Sequence, residues 1–343
     1  MSRKVRVGVN GYGTIGKRVA WAVSLQPDME VVGVVKTKPT WEALSAVAKG
    51  FKIYVPEGKE KMFEDAGIKV AGTIDDLIAS VDVVVDATPA GVGASYASLY
   101  RRAGVKAIFQ GGEARDVAEV SFNALHTYRE ALGRDAVRVV SCNTTGMLRV
   151  IYAVSRVARI RSVRGVIVRR GADLKEVKKG PIEGLLLKPV KPPSHHALDV
   201  KAVVGDWLDI ITYAVVAPTT LAHLHILNFR LDGGVRRDEI IESLRSTPRV
   251  ILLDSAYAPT STAEVRELAR DLGRCGDIYE VVVWGDSVWV EGEEVSLAYM
   301  VHQEAIVVPE NVDAIRAVTR LTDDPVESIR LTDKALGIGG WMP

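Results

Sequence analysis

Short runs of β-branched residues alternate with amphipathic segments through the first 140 residues. The runs predict five strands, at residues 5–9, 30–35, 82–87, 107–109 and 137–140. Apolar positions spaced three and four apart predict helices over residues 16–26, 73–80, 94–103 and 116–131. Strands that alternate with helices form parallel sheets with right-handed crossovers. We therefore expect a doubly wound α/β domain.

Beyond about residue 150 the strand-like runs lie closer together. They fall at residues 163–170, 210–216, 224–231, 279–284 and 287–290, and helical patterns lie at 237–246, 261–272 and 310–322. This pattern predicts an α+β unit built on a mostly antiparallel sheet. A length of 343 residues also predicts two domains, because domains cluster near ~100–150 residues.

An uncharged stretch of 20 residues lies between Asp209 and Arg230, long enough to raise the question of a membrane span. A proline, three threonines, two histidines and an asparagine interrupt it, so two buried strands are the better interpretation. The first residues lack the apolar core of a secretory signal. We expect a cytoplasmic protein with no membrane partner.

Composition is that of an ordinary globular chain, with 48% hydrophobic and 25% charged residues. The net charge of +1 gives no reason to expect nucleic acid as a partner, and no metal-ligand pattern stands out. Charge does cluster locally: from Arg156 to Lys191, eleven basic residues face three acidic ones. Such clusters are usually solvated surface or subunit contacts, but this one is also a candidate site for an anionic, phosphorylated small molecule.

A glycine-rich loop follows the first predicted strand directly and opens a predicted helix. It reads Gly11-Tyr12-Gly13-Thr14-Ile15-Gly16. The first glycine permits a tight turn, the second lets the backbone approach a pyrophosphate, and the third permits close helix–strand contact. The helix N-terminus stabilises phosphate charge. In this βαβ context we interpret the loop as the dinucleotide site of a Rossmann domain rather than a simple turn.

The end of the second strand bears on which dinucleotide is bound. An NAD site normally places Asp or Glu on the ribose about 20 residues beyond the loop. Here Lys36 and Thr37 occupy that position, where a cation and a hydroxyl would attract the 2′-phosphate of NADP. We therefore expect NADP or NAD, with dual specificity, unless Lys36 simply points to solvent.

Cys142 lies where a strand runs into a predicted helix, in the segment SCNTTG at 141–146. Free N–H groups and the helix dipole at such a turn favour the nucleophilic thiolate. The alternative is a small buried hydrophobe, the usual state of a free cysteine. Cys275 lacks this setting, and we interpret it as structural. A cysteine beside a nicotinamide site suggests addition to an aldehyde, followed by hydride transfer that leaves a thioester.

Four of the six histidines are candidates to assist Cys142. His195 and His196 form a loop pair after two prolines and could donate to an anion. His223 and His225 lie two residues apart on one strand face, and either could face Cys142. Each could instead be a satisfied core or inert loop residue.

Seven sequence blocks, in one order over nearly the full length, resemble archaeal-type phosphorylating glyceraldehyde-3-phosphate dehydrogenases. They are NGYGTIGKR (10–18), DATP (86–89), FQGGE (109–113), SCNTT (141–145), SHH (194–196), PTT (218–220) and VHQE (301–304). The resemblance implies reversible oxidation of glyceraldehyde 3-phosphate by NAD(P)+ and inorganic phosphate to 1,3-bisphosphoglycerate, in glycolysis and gluconeogenesis. It also implies a homotetramer, with a dinucleotide-binding domain at 1–140, a catalytic and oligomerisation domain at 141–302, and segment 303–343 packed back on the first domain.

The resemblance also implies roles for individual residues. The catalytic residues would be the nucleophile Cys142 and the general base and acid His223. Substrate and phosphate would be bound by Ser141, Asn143, His195, His196 and Arg169. Cofactor contacts would be Gly11, Gly13, Thr14, Ile15, Gly16, Lys36, Thr37, Gly111, Gly112, Arg170 and Gln303. The family's Arg-Arg-Ala-Ala-Asp block carries a glycine at 171 here, so the assignments of Arg169 and Arg170 stay open.

Three other functions stay open from the residues alone. An acyl-phosphate reductase acting on an aspartate or glutamate derivative shares the domain plan and the cysteine chemistry. A non-phosphorylating aldehyde dehydrogenase would release the same thioester with water. A dinucleotide-binding protein without catalysis would keep the 11–16 loop but would not need Cys142.

Overall fold

The computed structural model describes residues 3–110, 112–172, 183–254 and 256–339, and these form sixteen strands and eleven helices. The strands are β1 (Val5–Asn10), β2 (Met29–Val35), β3 (Ile53–Val55), β4 (Val70–Thr73), β5 (Val83–Asp86), β6 (Lys106–Gln110), β7 (Val120–Phe122), β8 (Ala136–Val139), β9 (Ile160–Arg170), β10 (Leu186–Leu187), β11 (Asp209–Ala217), β12 (His223–Leu231), β13 (Val250–Leu253), β14 (Val281–Trp284), β15 (Trp289–Glu291) and β16 (Glu294–Val301). The helices are α1 (Gly16–Ser24), α2 (Trp41–Ala48), α3 (Glu60–Glu64), α4 (Ile74–Ala79), α5 (Gly93–Ala103), α6 (Cys142–Ser155), α7 (His195–Val204), α8 (Arg237–Arg245), α9 (Thr262–Asp271), α10 (Val308–Thr319) and α11 (Pro325–Leu336).

The chain divides into two compact units. The first comprises the described residues up to Ser141 together with Val307–Gly337. The second comprises Cys142–Ile306 and the described residues after Gly337. The first unit therefore contains β1–β8 with α1–α5, α10 and α11, and the second contains β9–β16 with α6–α9.

The first unit is built on an entirely parallel sheet of order β4-β3-β2-β1-β5-β6-β8-β7. Adjacent residues of β2 belong to different cores: Val34 packs with residues of α1 and α2, whereas Val35 packs with residues of α4 and α5. Because successive side chains point to opposite faces, helices cover both sides of this sheet. The predicted doubly wound α/β fold is confirmed.

The chain order reverses between β1 and β5, which pair side by side. Ligands of such sheets bind beyond the carboxyl ends of the strands at this point. The 11–16 loop leaves β1 here, and Gly11 has a φ of +96° that favours glycine. A Cβ at Gly11 would lie 2.8 Å from the Ala87 carbonyl oxygen, directly after β5. The fold thus brings the glycine loop to its expected position.

The predicted helix over 116–131 is wrong. The segment contains a short 3-10 turn, then β7, then a series of turns. The Thr127 hydroxyl accepts from the Asn123 N–H at 2.9 Å and donates to the Ser121 carbonyl at 3.0 Å. Glu310 accepts from the Ala124 N–H at 2.7 Å. These bonds satisfy backbone groups that a helix would have used, which is how short polar side chains compete with helices.

The second unit is built on a sheet of order β10-β11-β9-β12-β16-β14-β13, with β15 paired to β16. The β11–β9 and β13–β14 pairs are parallel, and the other strand pairs of the described residues are antiparallel. The predicted mostly antiparallel sheet is confirmed. Along β12, odd-numbered residues from His223 to Leu231 are buried and even-numbered ones are more exposed. Both histidines of β12 therefore lie on the covered face of the sheet.

The opposite face of this sheet is partly exposed in the part of the chain that the structure describes. Val166, Tyr213 and Ile226 are 37%, 43% and 38% exposed on neighbouring strands. The uncharged stretch 210–229 forms parts of β11 and β12, two strands as predicted. Within the part of the chain that the structure describes, no helix is long and apolar enough to cross a membrane.

We predict that replacing Arg316 by Met strongly destabilises the first unit. Arg316 is fully buried in α10 and donates to both carboxylate oxygens of Asp28, at 2.8 and 2.9 Å, and to Gln26 at 2.7 Å. Breaking a buried ion pair by removing one partner costs about 3–5 kcal/mol. Urea unfolding should show a loss of this size in the free energy of unfolding.

Arg330→Met is the matched control. Arg330 pairs with Glu327 at 2.7 Å on the surface of α11, and exposed pairs contribute little. A loss of stability in the control equal to that in Arg316→Met would contradict the role given to Arg316.

Candidate active site

Cys142 is the first residue of α6, which begins three residues after β8 ends. Nearly every later residue of α6 is buried, so packing fixes the helix that carries the cysteine. Cys142 is half-buried. Its Sγ lies 3.7 Å from Nε2 of His223, so of the two histidines on β12 it is His223 that meets the thiol. Cys275, which we interpret from the sequence as structural, is exposed.

The thiol of Cys142 has a raised pKa, about 11. Burial is the main cause, because it disfavours the charged thiolate. Arg170, Arg169 and the backbone N–H of Asn143 lower the pKa, whereas Glu304 raises it. The backbone N–H at the helix start lowers the pKa, as expected, but burial outweighs both this contact and the nearby positive charge, so the thiol is the favoured form.

His223 is held in one tautomer by the strand beside it. Its Nδ1 accepts from the backbone N–H of Arg170 at 3.1 Å, so a neutral ring carries its proton on Nε2, next to the thiol. Burial, then His225 and Arg170, hold the pKa of His223 well below its usual value. Ala222, just before it, has a left-handed φ of +62°, a strained conformation of the kind that clusters at functional sites.

A second set of buried polar groups continues from Cys142 along α6. The Asn143 side chain contacts His196 Nε2 at 3.4 Å through Nδ2 and His225 Nε2 at 2.9 Å through Oδ1. His225 Nδ1 in turn contacts the Tyr299 hydroxyl at 2.9 Å. Sequence reasoning left the role of His225 open and missed Tyr299, which faces His225 across the β12–β16 pair.

His195 and His196 are not a loop pair as predicted but form the first turn of α7. Ser194 anchors this helix start, because its N–H and hydroxyl contact the Thr212 carbonyl at 2.7 Å and hydroxyl at 2.6 Å. His196 is buried and His195 is exposed. The two residues are thus not equivalent: only His196 contacts Asn143.

Arg169 and Arg170 end β9 and are both half-buried. Both lower the pKa of Cys142 and of His223, and Arg169 also lowers that of His196. The Arg169 Nε has no hydrogen-bond partner among the residues that the structure describes. Positive charge therefore surrounds the thiol and both buried imidazoles. Segment 173–182, part of the predicted basic cluster, lies outside the described residues.

Gln303 and Glu304 follow β16 in the second unit, and both are buried. The Gln303 Nε2 donates to Glu304 Oε1 at 2.9 Å and to the Thr220 carbonyl at 3.3 Å. Glu304 also lies 3.0 Å from His302 Nε2. Sequence reasoning did not single out Glu304, although it acts on the pKa of Cys142; its place within the VHQE block was the available signal.

The predicted cofactor residues of the first unit gather at the carboxyl ends of β1, β2 and β6. A Cβ at Gly16 would lie 1.8 Å from the Gly11 carbonyl oxygen, so the tight loop requires glycine there. Thr14 and Ile15 lie between Gly13 and the start of α1. This cradle of small residues at a helix start suits a pyrophosphate. Gly112 packs against Ala90, and Gly111 lies outside the described residues.

Lys36 does not point to solvent but is paired. Its Nζ lies 2.7 Å from Glu42 Oε2, with both side chains largely buried, and 3.3 Å from the Tyr12 carbonyl oxygen. Thr37 is exposed. The sequence did not indicate Glu42, which sits in the first turn of α2, so the positive charge expected beyond β2 is partly compensated.

Comparison with known proteins gives the class of the molecule. Residues 141–287 match the C-terminal domain of glyceraldehyde 3-phosphate dehydrogenase, and residues 5–121 match the N-terminus of dihydrodipicolinate reductase. The crystal structure of aspartate semialdehyde dehydrogenase II from Vibrio cholerae has the same fold, with a TM-score of 0.68 at 13% identity over 93% of this chain and 99% of that one. The family matches and the relatives described next show an oxidoreductase that uses a nicotinamide dinucleotide.

Full-length relatives give the family. A protein from Hyperthermus butylicus named glyceraldehyde-3-phosphate dehydrogenase is 57% identical over 98% of both chains. Proteins of the same name from Saccharolobus islandicus and Metallosphaera sedula are 56% and 55% identical, over 97% and 98% of this chain and 98% of each relative. The chain belongs to the glyceraldehyde-3-phosphate dehydrogenase family.

We predict that alkylation of Cys142 by iodoacetamide is slow near neutral pH and keeps rising beyond about pH 10, because only the thiolate reacts and its pKa is about 11. The measurement uses a Cys275→Ala background, so that only Cys142 is counted. Arg170→Gln removes a charge that lowers this pKa but keeps the backbone N–H that bonds His223. It should therefore slow alkylation at about pH 8.

Arg164→Gln is the control, because Arg164 lies on the same strand but is exposed and paired with Asp209 at 2.6 Å. It should leave the rate unchanged. An alkylation rate that levels off below about pH 8 would show that Cys142 is already a thiolate and would contradict the prediction.

Proposed function

We propose that the protein is a phosphorylating glyceraldehyde-3-phosphate dehydrogenase. It oxidises glyceraldehyde 3-phosphate to a thioester on Cys142, and inorganic phosphate then releases the acyl group from the sulfur. The single observation that carries this proposal is the 3.7 Å contact between Cys142 Sγ and His223 Nε2, with Arg169 and Arg170 beside it. Family membership supports the substrate. The reaction is reversible, and the proposed setting is glycolysis and gluconeogenesis.

The first step is attack by Cys142. The thiol first gives its proton to water, and an electron pair of the thiolate sulfur then forms a bond to the aldehyde carbon while the carbonyl π pair moves to oxygen. With a pKa of about 11, the thiolate is a minor species at neutral pH, so neighbouring positive charge increases the reactive fraction. Arg169 and Arg170 supply such charge from the end of β9.

His223 is the proposed hydrogen-bond donor to the reacting atoms. Because its Nδ1 accepts from Arg170, its Nε2–H is suited to donate to the sulfur and to the hemithioacetal oxygen. The oxygen electron pair then re-forms the carbonyl as hydride leaves the carbon, which yields the thioester. A general base would have to accept a proton at Nε2, which already carries one in this tautomer. Protonating Nδ1 as well is opposed by the Arg170 N–H that points at it, so this contact favours the donor role.

The proposed anion sites follow from the buried donors and charges around α7 and β9. Inorganic phosphate must reach the thioester, where one of its oxygens attacks the acyl carbon and expels the Cys142 sulfur. Arg169, with an Nε that has no partner among the described residues, and His196 are the proposed ligands of substrate or phosphate. Ser141, Asn143 and His195 complete the proposed substrate set, and Arg170 is the open assignment between phosphate and cofactor.

When the cofactor is bound, its oxidised nicotinamide ring would accept the hydride. The proposed cofactor residues are those of the 11–16 loop with Lys36, Thr37, Gly112 and Gln303. Because Glu42 partly compensates Lys36, we propose that both NAD and NADP are used, with Lys36 as the group that recognises the 2′-phosphate of NADP.

We also propose a homotetramer in the cytoplasm. The partly exposed face of the second sheet, with Val166, Tyr213 and Ile226 exposed on adjacent strands, supports a contact between copies of this unit. The proposed roles of the two parts are dinucleotide binding for residues 1–140 with the C-terminal segment, and catalysis with oligomerisation for residues 141–302.

We predict that cofactor reduction with glyceraldehyde 3-phosphate requires inorganic phosphate. Cys142→Ser should abolish turnover, because a serine hydroxyl beside the same neutral histidine is a far weaker nucleophile, and it should leave dinucleotide binding intact. Absorbance of the reduced cofactor and fluorescence titration measure the two properties. Appreciable turnover in Cys142→Ser would overturn the mechanism, whereas equal turnover without phosphate would indicate a hydrolytic enzyme.

We predict opposite effects of the two members of the Lys36–Glu42 pair on cofactor choice. Lys36→Met should raise the KM for NADP about tenfold or more, since a hydrogen bond to a charged group is worth about 1.5–3 kcal/mol, and should change the KM for NAD less. Glu42→Gln should lower the KM for NADP, because it leaves Lys36 uncompensated. Lys38→Met, at an exposed neighbouring position, should have little effect. An unchanged ratio of NADP to NAD use in both variants would reject the role of Lys36.

A further inference from the structure

Four buried side chains form one continuous chain of contacts in the second unit. It runs from the Tyr299 hydroxyl to His225 Nδ1 at 2.9 Å, from His225 Nε2 to Asn143 Oδ1 at 2.9 Å, and from Asn143 Nδ2 to His196 Nε2 at 3.4 Å. All four residues are at most 3% exposed. With the Asn143 amide oriented as in this structure, its oxygen toward His225, the donor and the acceptor of each hydrogen bond follow from the chemistry of the groups.

The protonation state of His225 gives the donor and acceptor roles of its two neighbours. Burial lowers its pKa to about 3, so the ring is neutral and carries one proton. The Asn143 oxygen can only accept, so that proton is on Nε2. His225 Nδ1 must then accept from the Tyr299 hydroxyl, which stays protonated because burial raises the pKa of Tyr299 well above its usual value.

The Asn143 amide likewise determines the protonation site of His196. With Oδ1 bound by His225, the Asn143 amide presents its Nδ2–H to His196, so His196 Nε2 is an acceptor. Burial and neighbouring charge, including Arg169, hold the pKa of His196 well below its usual value. The neutral ring therefore carries its proton on Nδ1, and that Nδ1 has no hydrogen-bond partner among residues 3–110, 112–172, 183–254 and 256–339.

We propose that Tyr299 and His225 are positioning residues, which act through Asn143 to hold His196 in the tautomer whose Nδ1–H donates to an oxyanion of the substrate or of inorganic phosphate. The proposal rests on the proposed function for the identity of that anion. A bare Nδ1 at the same place would instead present a lone pair to the anion and repel it. The four hydrogen-bonded side chains thus determine whether the uncharged His196 attracts or repels the anion.

Tyr299→Phe removes one hydroxyl and leaves the ring in place. His225 Nδ1 then loses its donor, so the His225 ring can take the other tautomer, the Asn143 amide can turn over, and His196 can carry its proton on Nε2. The KM for inorganic phosphate or for glyceraldehyde 3-phosphate should rise about tenfold, the scale of one hydrogen bond to a charged group. The KM for the dinucleotide should not change.

The matched control is Tyr128→Phe in the first unit. Tyr128 is also buried, and its hydroxyl donates to the Thr322 carbonyl at 2.9 Å. Both variants lose one buried hydroxyl hydrogen bond, but only Tyr299 belongs to the chain. A purely structural role for Tyr299 would make the two variants alike in their KM values at matched stability.

The direct test is nitrogen NMR of the full-length protein labelled in its six histidines, with assignments from single His→Gln variants. The wild type should show His225 protonated at Nε2 and His196 at Nδ1, and Tyr299→Phe should shift His196 toward protonation at Nε2. A wild-type His196 protonated at Nε2, or an unchanged His196 with unchanged KM values in Tyr299→Phe, would overturn the proposal. This readout needs no turnover, so a protein with the expected tautomers but no glyceraldehyde 3-phosphate activity would refute only the proposed function.

Discussion

The burial of ionisable groups around Cys142 is the constraint on which the rest of the site depends. A thiol and three imidazoles share a small volume with two guanidinium groups, and burial keeps all four in their neutral forms. A buried charge without compensation is more costly than a proton held in place. The candidate site therefore consists of neutral donors and acceptors in fixed orientations, and its positive charge comes from Arg169 and Arg170.

The second sheet makes such orientation possible. β12 is central in that sheet and alternates strictly between a covered and an exposed face. Its two histidines thus enter the site two residues apart, each fixed by a different neighbour: β9 supplies the backbone N–H for His223, and β16 supplies Tyr299 for His225. Strand pairing places both partners: β9 presents its backbone N–H to His223, and the β12–β16 register sets Tyr299 opposite His225.

Much of the fold could be predicted because its signals are local. The 11–16 loop, the β-branched strands and the period-two pattern of residues 223–231 each lie within a few residues of sequence. The failures have a common cause, which is long-range contact. Residues 116–131 have a helical pattern, but the backbone N–H of Ala124 donates to the carboxylate of Glu310, which is 186 residues away in sequence. The start of α7 at His195 was hidden because Ser194 is held by Thr212 rather than by a local cap.

The candidate site shows the same difference. Cys142, His223 and Glu304 lie in or beside recognisable sequence blocks, whereas Glu42 and Tyr299 do not, and each of these two contacts a group that the fold brings to it. The residues around Lys36 do not show that its charge is neutralised by a partner. In the segment VVKTK it looks like a free cation, yet it forms an ion pair with Glu42 on the following helix. A single motif can therefore identify the chemistry of a site, while the strength of that chemistry depends on residues that only the folded chain brings together.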